Sequence, residues 1–338
     1  MVTIADVARR AGVAPSTVSY VLTNRRSISA TTRQAVEEAI RDLDYRPHAG
    51  ARALRGARTR VLALSFPRET VPYHAIGGRF VHHVSTAARA HGHDLLLLSA
   101  EESVSGLRRV AGSRLADGVV VMSVLTDDPR IPVLDELGFP AALLGRPRAS
   151  GGLPWSDYDF EGAAALAVRE LVRAGHRALA FVGSSDAEFR AGLNYAPRAL
   201  AGARAAAREA GVHLTVMRSS SSHRTLVRRT QALLAADPAP TAVILHHEVP
   251  AMPAILREAG YSIPRDMSLV VIGATPDLAS DLPVARSELP VQEMTRTAVE
   301  LALASIEGEV SGGGLIPARW TKGQTIAPPR ADHGGRRA

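Results

Sequence analysis

Apolar positions are spaced in two different ways along this chain. In the first 48 residues they recur three and four apart. Ile4, Val7, Ala8 and Ala11 fall at i, i+3, i+4 and i+7, one face of a short helix. Val18, Val21 and Leu22 predict the buried stripe of a second helix. Val36, Ile40 and Leu43 predict that of a third, which ends before Pro47. From Val61 the texture changes. Continuous apolar runs at 61–66, 94–99, 118–123, 141–144, 178–183, 241–245 and 269–273 predict strands. Helical stretches at about 75–91, 160–174, 197–210, 224–236, 250–259 and 291–307 fall between them. Runs without two-residue alternation suit parallel strands covered on both faces, joined by right-handed crossovers. Residues 49–60 are small and basic with no apolar face, as a linker would be, and 329–338 reads as a disordered tail.

The punctuation of the first segment is specific. Thr3 and Asp6 have capping-box spacing, Gly12 stands where a tight turn wants positive φ, and Pro15 sits at a helix start. Ser29 or Thr31 would cap the third helix. Two short helices with this turn form a helix-turn-helix, whose second helix enters the major groove. Pro15, Ser16 and Tyr20 then lie on its outer, N-terminal side. A serine hydroxyl reads base edges, and proline and an aromatic edge suit a thymine methyl. Thr17 suits a phosphate, and Thr3, Ser19 and Asn24 complete the expected DNA-contacting set.

Charge supports this. Residues 1–60 hold eleven Arg against five acids, which is +6 of the chain's formal +7. A basic head on a near-neutral body suits a polyanion partner. Length changes the picture less: 338 residues are about two domains' worth. There is no cysteine, which excludes disulfides, thiolate metal sites and thiol nucleophiles. The N-terminus lacks the form of a secretory signal and no apolar run could span a bilayer, so a cytoplasmic protein without membrane contact is expected.

Residues 3–22, Thr-Ile-Ala-Asp-Val-Ala-Arg-Arg-Ala-Gly-Val-Ala-Pro-Ser-Thr-Val-Ser-Tyr-Val-Leu, closely resemble the head of the lactose-repressor (LacI/GalR) family. The resemblance continues through Leu43-Asp44-Tyr45-Arg46-Pro47, Ala51-Arg52-Ala53-Leu54-Arg55, Gly175-His176-Arg177, Arg257-Glu258-Ala259-Gly260 and Ser268-Leu269-Val270-Val271-Ile272-Gly273. It implies an all-α helix-turn-helix head (1–48), a hinge (49–60) and an α/β two-lobed body like periplasmic binding proteins (61–328). The N-lobe would take about 61–157 and 291–322, and the C-lobe about 158–290. In the hinge, Leu54 matches a leucine that wedges into the minor groove, with Arg52 and Arg55 reaching phosphates.

The resemblance also implies a small effector, a sugar or related metabolite, between the lobes. Ligands of open parallel sheets collect beyond the carboxyl ends of the strands. That rule selects Tyr73, His74, Trp155, Asp157, His246, His247, Glu248 and Asp277. Arg198 is one position from the family's effector arginine, where Ala199 stands. The family's Gly-aromatic-Asp reads Gly273-Ala274-Thr275, and its Asn-Asp is replaced at His246–Glu248. These departures leave the effector open.

No phosphate loop, nucleophile elbow or paired acid–base carboxylates are present, so neither an enzyme nor a bound cofactor or metal is expected. The expectation is a homodimeric regulator, a repressor, on a palindromic operator. The alternative is a ligand-binding protein with a non-functional head. Helix 75–91, with Phe80 and Val84, is a candidate dimer surface.

Overall fold

The fold was analysed as a computed structural model, which describes residues 2–23, 28–45, 58–66, 74–98, 103–275, 283–309 and 312–330. The chain divides into two compact units, 1–59 and 60–338.

Among its described residues the first unit holds three helices: α1 (Ile4–Ala11), α2 (Pro15–Thr23) and α3 (Ala30–Asp42). The Thr3 hydroxyl accepts the Asp6 N–H while the Asp6 side chain takes the Thr3 N–H, the reciprocal cap that satisfies two orphan donors. α1 ends at Gly12 in the left-handed region (φ 65°), as its turn position required. Ser29, rather than Thr31, caps α3 by accepting from Thr32 N–H. Val7, Val18 and Val36, fully buried, meet at the centre with Ala8, Val21, Ala39 and Tyr45. Leu22 departs from expectation. It is 37% exposed, because the buried stripe of α2 is only as wide as Val18 and Val21.

The second unit contains two parallel sheets. The N-lobe sheet has β1 (Val61–Ser65), β2 (Asp94–Leu98), β3 (Gly118–Met122), β4 (Ala141–Leu144), β5 (Trp155–Tyr158) and β11 (Gly314–Ile316). Their order is β11-β5-β4-β3-β1-β2. The C-lobe sheet has β6 (Ala178–Gly183), β7 (His213–Arg218), β8 (Ala242–His246), β9 (Ser268–Ala274), β10 (Ala285–Glu288) and β12 (Trp320–Thr321), in the order β12-β10-β9-β8-β6-β7. Among the described strands, only the β10–β12 pair is antiparallel. β3, β4, β8 and β9 are buried throughout, which explains their unbroken apolar runs.

Helices cover both sheets. They are α4 (His74–Ala90), α5 (Ser103–Gly112), α6 (Arg130–Leu137), α7 (Phe160–Arg173), α8 (Asp186–Arg190), α9 (Tyr195–Glu209), α10 (His223–Leu234), α11 (Met252–Glu258) and α12 (Val291–Ile306). Three chain crossings join the lobes: β5 to α7, β10 to α12, and β11 to β12. The last crossing therefore falls between 316 and 320, and not after 322 as the sequence suggested. Residues 325–327 also bond to β9 in the C-lobe.

Two further expectations need correction. Phe80 and Val84 are 8% and 0% exposed and pack in the chain's own core, so they cannot form a dimer surface. The tail does not begin at 329, because Arg330 donates to Asp266 at 2.5 Å. Residues 331–338 lie outside the described residues, as does the hinge over 49–57.

Candidate functional site

In the first unit the candidate surface is the outer face of α2. Val18 and Val21 fix one side of this helix in the core, which turns Pro15, Ser16 and Tyr20 outward. Tyr20 is 36% exposed, and Thr17 and Ser19 are half-buried beside it. Thr3 is exposed, but its hydroxyl already donates to the Asp6 carboxylate at 2.7 Å, so it is first a helix cap. Asn24, Arg52, Leu54 and Arg55 lie outside the described residues.

In the second unit the strand ends of the C-lobe bring His246, His247 and Glu248 together, with partners that sequence reasoning missed. The two imidazoles stack at 4.1 Å between centroids. Phe181 lies nearly parallel to His246, and Phe160 and Tyr195 meet both imidazoles edge-on. Ser184 Oγ lies 3.1 Å from His246 Nδ1, and His247 Nδ1 donates to the Gly273 carbonyl at 3.2 Å. Burial carries His246 well below the ordinary imidazole value, helped by its neighbour His247. Burial also lowers His247, against the opposing pull of Glu188. Both rings are therefore neutral near pH 7. Glu188 accepts from Ser185 N–H and Oγ, each at 2.7 Å, and from the Tyr195 hydroxyl at 2.9 Å. Glu248 accepts from Thr275 N–H at 2.7 Å and from its hydroxyl.

Asp157 and Arg198 form a second group, where the lobes meet. Asp157 is 2% exposed and accepts the N–H groups of Arg146 and Tyr158, each at 2.9 Å. Burial pushes its carboxyl up to about 6, despite those donors. Arg198 Nη2 donates to the Arg146 carbonyl at 2.9 Å, while Ala199 is buried in the lobe core. Trp155 touches the second group only through Arg146, whose guanidinium lies 5.8 Å over its ring; the ring otherwise covers Gly313 and packs with Phe139 and Leu153 on the N-lobe core. His74 opens α4, but its side chain lies outside the described residues, as do Tyr73 and Asp277.

On the N-lobe side, sequence reasoning also missed a buried ion pair. Arg130 holds Asp128 through Nε (2.9 Å) and Nη2 (2.7 Å), and reaches Ser65 Oγ and the Met122 carbonyl at the ends of β1 and β3. Burial raises Asp128, but the Arg130 hydrogen bonds and charge outweigh it and leave the carboxyl low.

Two family models match this chain. The model described as bacterial regulatory proteins, lacI family, covers residues 3–48. That of the periplasmic binding protein-like domain covers 168–326. The HTH-type transcriptional repressor PurR of Erwinia tasmaniensis is 32% identical over 282 residues, which is 80% of each chain. The chain belongs to the lacI family. The regulator RafR of Escherichia coli is 33% identical, over only 52% of this chain and 53% of RafR. A Lac repressor dimer solved on operator with the anti-inducer ONPF has the same fold (TM-score 0.83, 22% identity). It covers 96% of this chain and 99% of the repressor chain. The lacI-family chain is thus a DNA-binding transcriptional regulator. Among the described residues, no helix is long and apolar enough to cross a membrane.

Proposed function

We propose that this lacI-family chain is a cytoplasmic repressor and not an enzyme. It binds an inverted-repeat operator as a homodimer and responds to a small molecule held between its lobes. The observation that carries the reading is α2. A capped three-helix core buries Val18 and Val21 and leaves Pro15, Ser16 and Tyr20 outward, the arrangement a recognition helix needs. A homodimer presents two such helices to inverted half-sites, so operator symmetry mirrors protein symmetry. Asn24, Arg52, Leu54 and Arg55 join the DNA contacts in this reading, with Leu54 as the minor-groove wedge.

The effector region is the meeting line of the lobes. In this reading the neutral imidazole pair and Glu248 supply the C-lobe contacts to the effector, and Asp157 and Arg198 supply those where the lobes meet. Tyr73, His74, Trp155 and Asp277 complete the proposed set. Carbohydrates are the first effector class to screen. An effector that prefers one arrangement of the lobes must change DNA affinity by the same coupling factor.

The test is selection of tight-binding duplexes from a random pool by the full-length chain. The expected product is an inverted repeat with a central pyrimidine–purine step, the step easiest to kink. Enrichment of no motif would overturn the reading.

A further inference from the structure

The lobes are joined by more than their three chain crossings. After β3 the N-lobe chain runs as a strap over 124–126, and before α9 the C-lobe chain turns over 192–194. Strap and turn pair directly. Thr126 N–H donates to the Gly192 carbonyl at 2.8 Å, Asn194 N–H donates to the Val124 carbonyl at 3.3 Å, and Leu125 and Leu193 form an antiparallel bridge.

Asn194 ties this pairing to a third segment. Its side chain is 4% exposed, and Nδ2 donates to the Arg146 carbonyl at 3.0 Å and to Asp157 Oδ2 at 3.4 Å. The strap is stiffened from the N-lobe, because Asp128 accepts from Leu125 N–H at 2.9 Å and is itself held by Arg130. Gly145 leaves the space. A Cβ there would lie 3.1 Å from Asn194 Nδ2, at a φ of 134° that other residues avoid.

We propose that Asn194 is the positioning residue of an interlobe latch, made of 124–126, 192–194 and Arg146, and that regulation acts by closing or releasing this latch. The inference rests on the reading of the chain as an effector-controlled repressor. A latch of this kind is a short-range, all-or-none contact. Its hydrogen bonds exist only in one arrangement of the lobes, so each contributes to the difference between arrangements and not merely to folding. The Asn194 amide is buried between two acceptors that belong to the other lobe. Separation of the lobes would leave those acceptors to water, and closure without the amide would strip each of one of its two donors, leaving only Arg198 Nη2 on the Arg146 carbonyl and Arg146 N–H on Asp157 Oδ2.

The chain has no cysteine, so a labelled pair introduces no background. The experiment places spin labels at Asp135→Cys on α6 and Gln231→Cys on α10, both exposed positions, in the full-length protein. The distance distribution is then measured with Asn194 intact and in Asn194→Ala. Operator affinity is measured on the same proteins with the selected duplex. With labelled chains diluted in unlabelled protein so that only distances within one protomer are read, the expected result is one dominant distance in the parent. Asn194→Ala should give a second, separate population and a five- to thirtyfold change in operator affinity, the effect of removing one or two hydrogen bonds from a two-state equilibrium. Gly145→Ala should shift both readouts in the same sense.

An unchanged distance distribution in Asn194→Ala would overturn the latch. A shifted distribution with unchanged operator affinity would overturn its role in regulation. Both outcomes are distinct from failure of the repressor reading itself, in which the parent protein selects no duplex while the distance measurement still reports on the lobes.

Discussion

Val18 and Tyr20 sit two residues apart on the same helix, and the structure assigns them opposite work. Val18 is 0% exposed at the centre of the three-helix unit, and Tyr20 is 36% exposed on its outer face. Val18→Ala removes two buried carbons, a transfer loss of about 1.6 kcal/mol before any cavity cost, so about 2 kcal/mol in all. A unit this small is marginally stable, and a loss of that size leaves much of it open at equilibrium. Tyr20→Ala removes a partly solvated ring and inserts a better helix former, so stability should move by no more than about 0.5 kcal/mol. Its effect belongs on DNA: about 1–3 kcal/mol of discrimination against the wrong base, or roughly five- to 150-fold. The assay pairs amide hydrogen exchange over residues 4–23 of the full-length protein with binding to the selected operator and to a scrambled duplex. Tyr20→Ala should keep its protection and lose the preference for the operator. Val18→Ala should lose protection and weaken binding to both duplexes together. If Tyr20→Ala lost protection as Val18→Ala does, or weakened both duplexes equally, the assignment of the outer face as the reading surface would be wrong.

Other expectations follow from the second unit and the hinge. Burial raises the Asp157 carboxyl from the ordinary aspartate range to about 6, so the folded state holds its proton more tightly than the unfolded chain. Its contribution is therefore full below about pH 4 and falls by about 3 kcal/mol as pH rises through 6, which Asp157→Asn should flatten in pH-dependent urea unfolding. His246 acts in the opposite sense. Its lowered value means that only the unfolded chain takes up a proton near 6.5, so stability falls as pH drops below that point. His246→Phe should reduce that acid-side loss in the same titration. Asp128→Ala strands Arg130 in a buried site and should destabilise the second unit by about 3–5 kcal/mol in urea unfolding. Leu54→Ala should reduce the bend of the bound operator, read by circular-permutation mobility, and an unchanged bend angle would contradict the wedge.

What the sequence revealed depended on the range of the interaction. The Thr3–Asp6 cap, Gly12 and Pro15 are set by neighbours within four residues, so their spacing alone predicted α1 and the start of α2. His246–Glu248 could be placed because a topological rule locates ligand groups at strand ends, and the apolar run of β8 marks that strand. Asn194 gave no such signal. It stands in an ordinary turn, and its partners Val124, Arg146 and Asp157 come from three distant segments. Glu188 is an intermediate case: Ser185 and Glu188 have capping-box spacing, but the hydrogen bond from Tyr195 appears only in three dimensions. Leu22, Phe80 and Val84 were misplaced because periodicity identifies an apolar face and says nothing of what covers it. β5, β7 and β10 carry polar residues amid short runs, so their strand character escaped the pattern.

Sequence-specific reading of DNA by the head is measured as a ratio of affinities. Full-length protein is titrated onto the selected inverted repeat and onto a scrambled duplex of equal length and composition, at several salt concentrations. A sequence-specific regulator should prefer the repeat by about 10³-fold or more at physiological salt. A ratio near one, with both affinities falling steeply with salt, would show that the head binds only as a charged surface and would contradict the account.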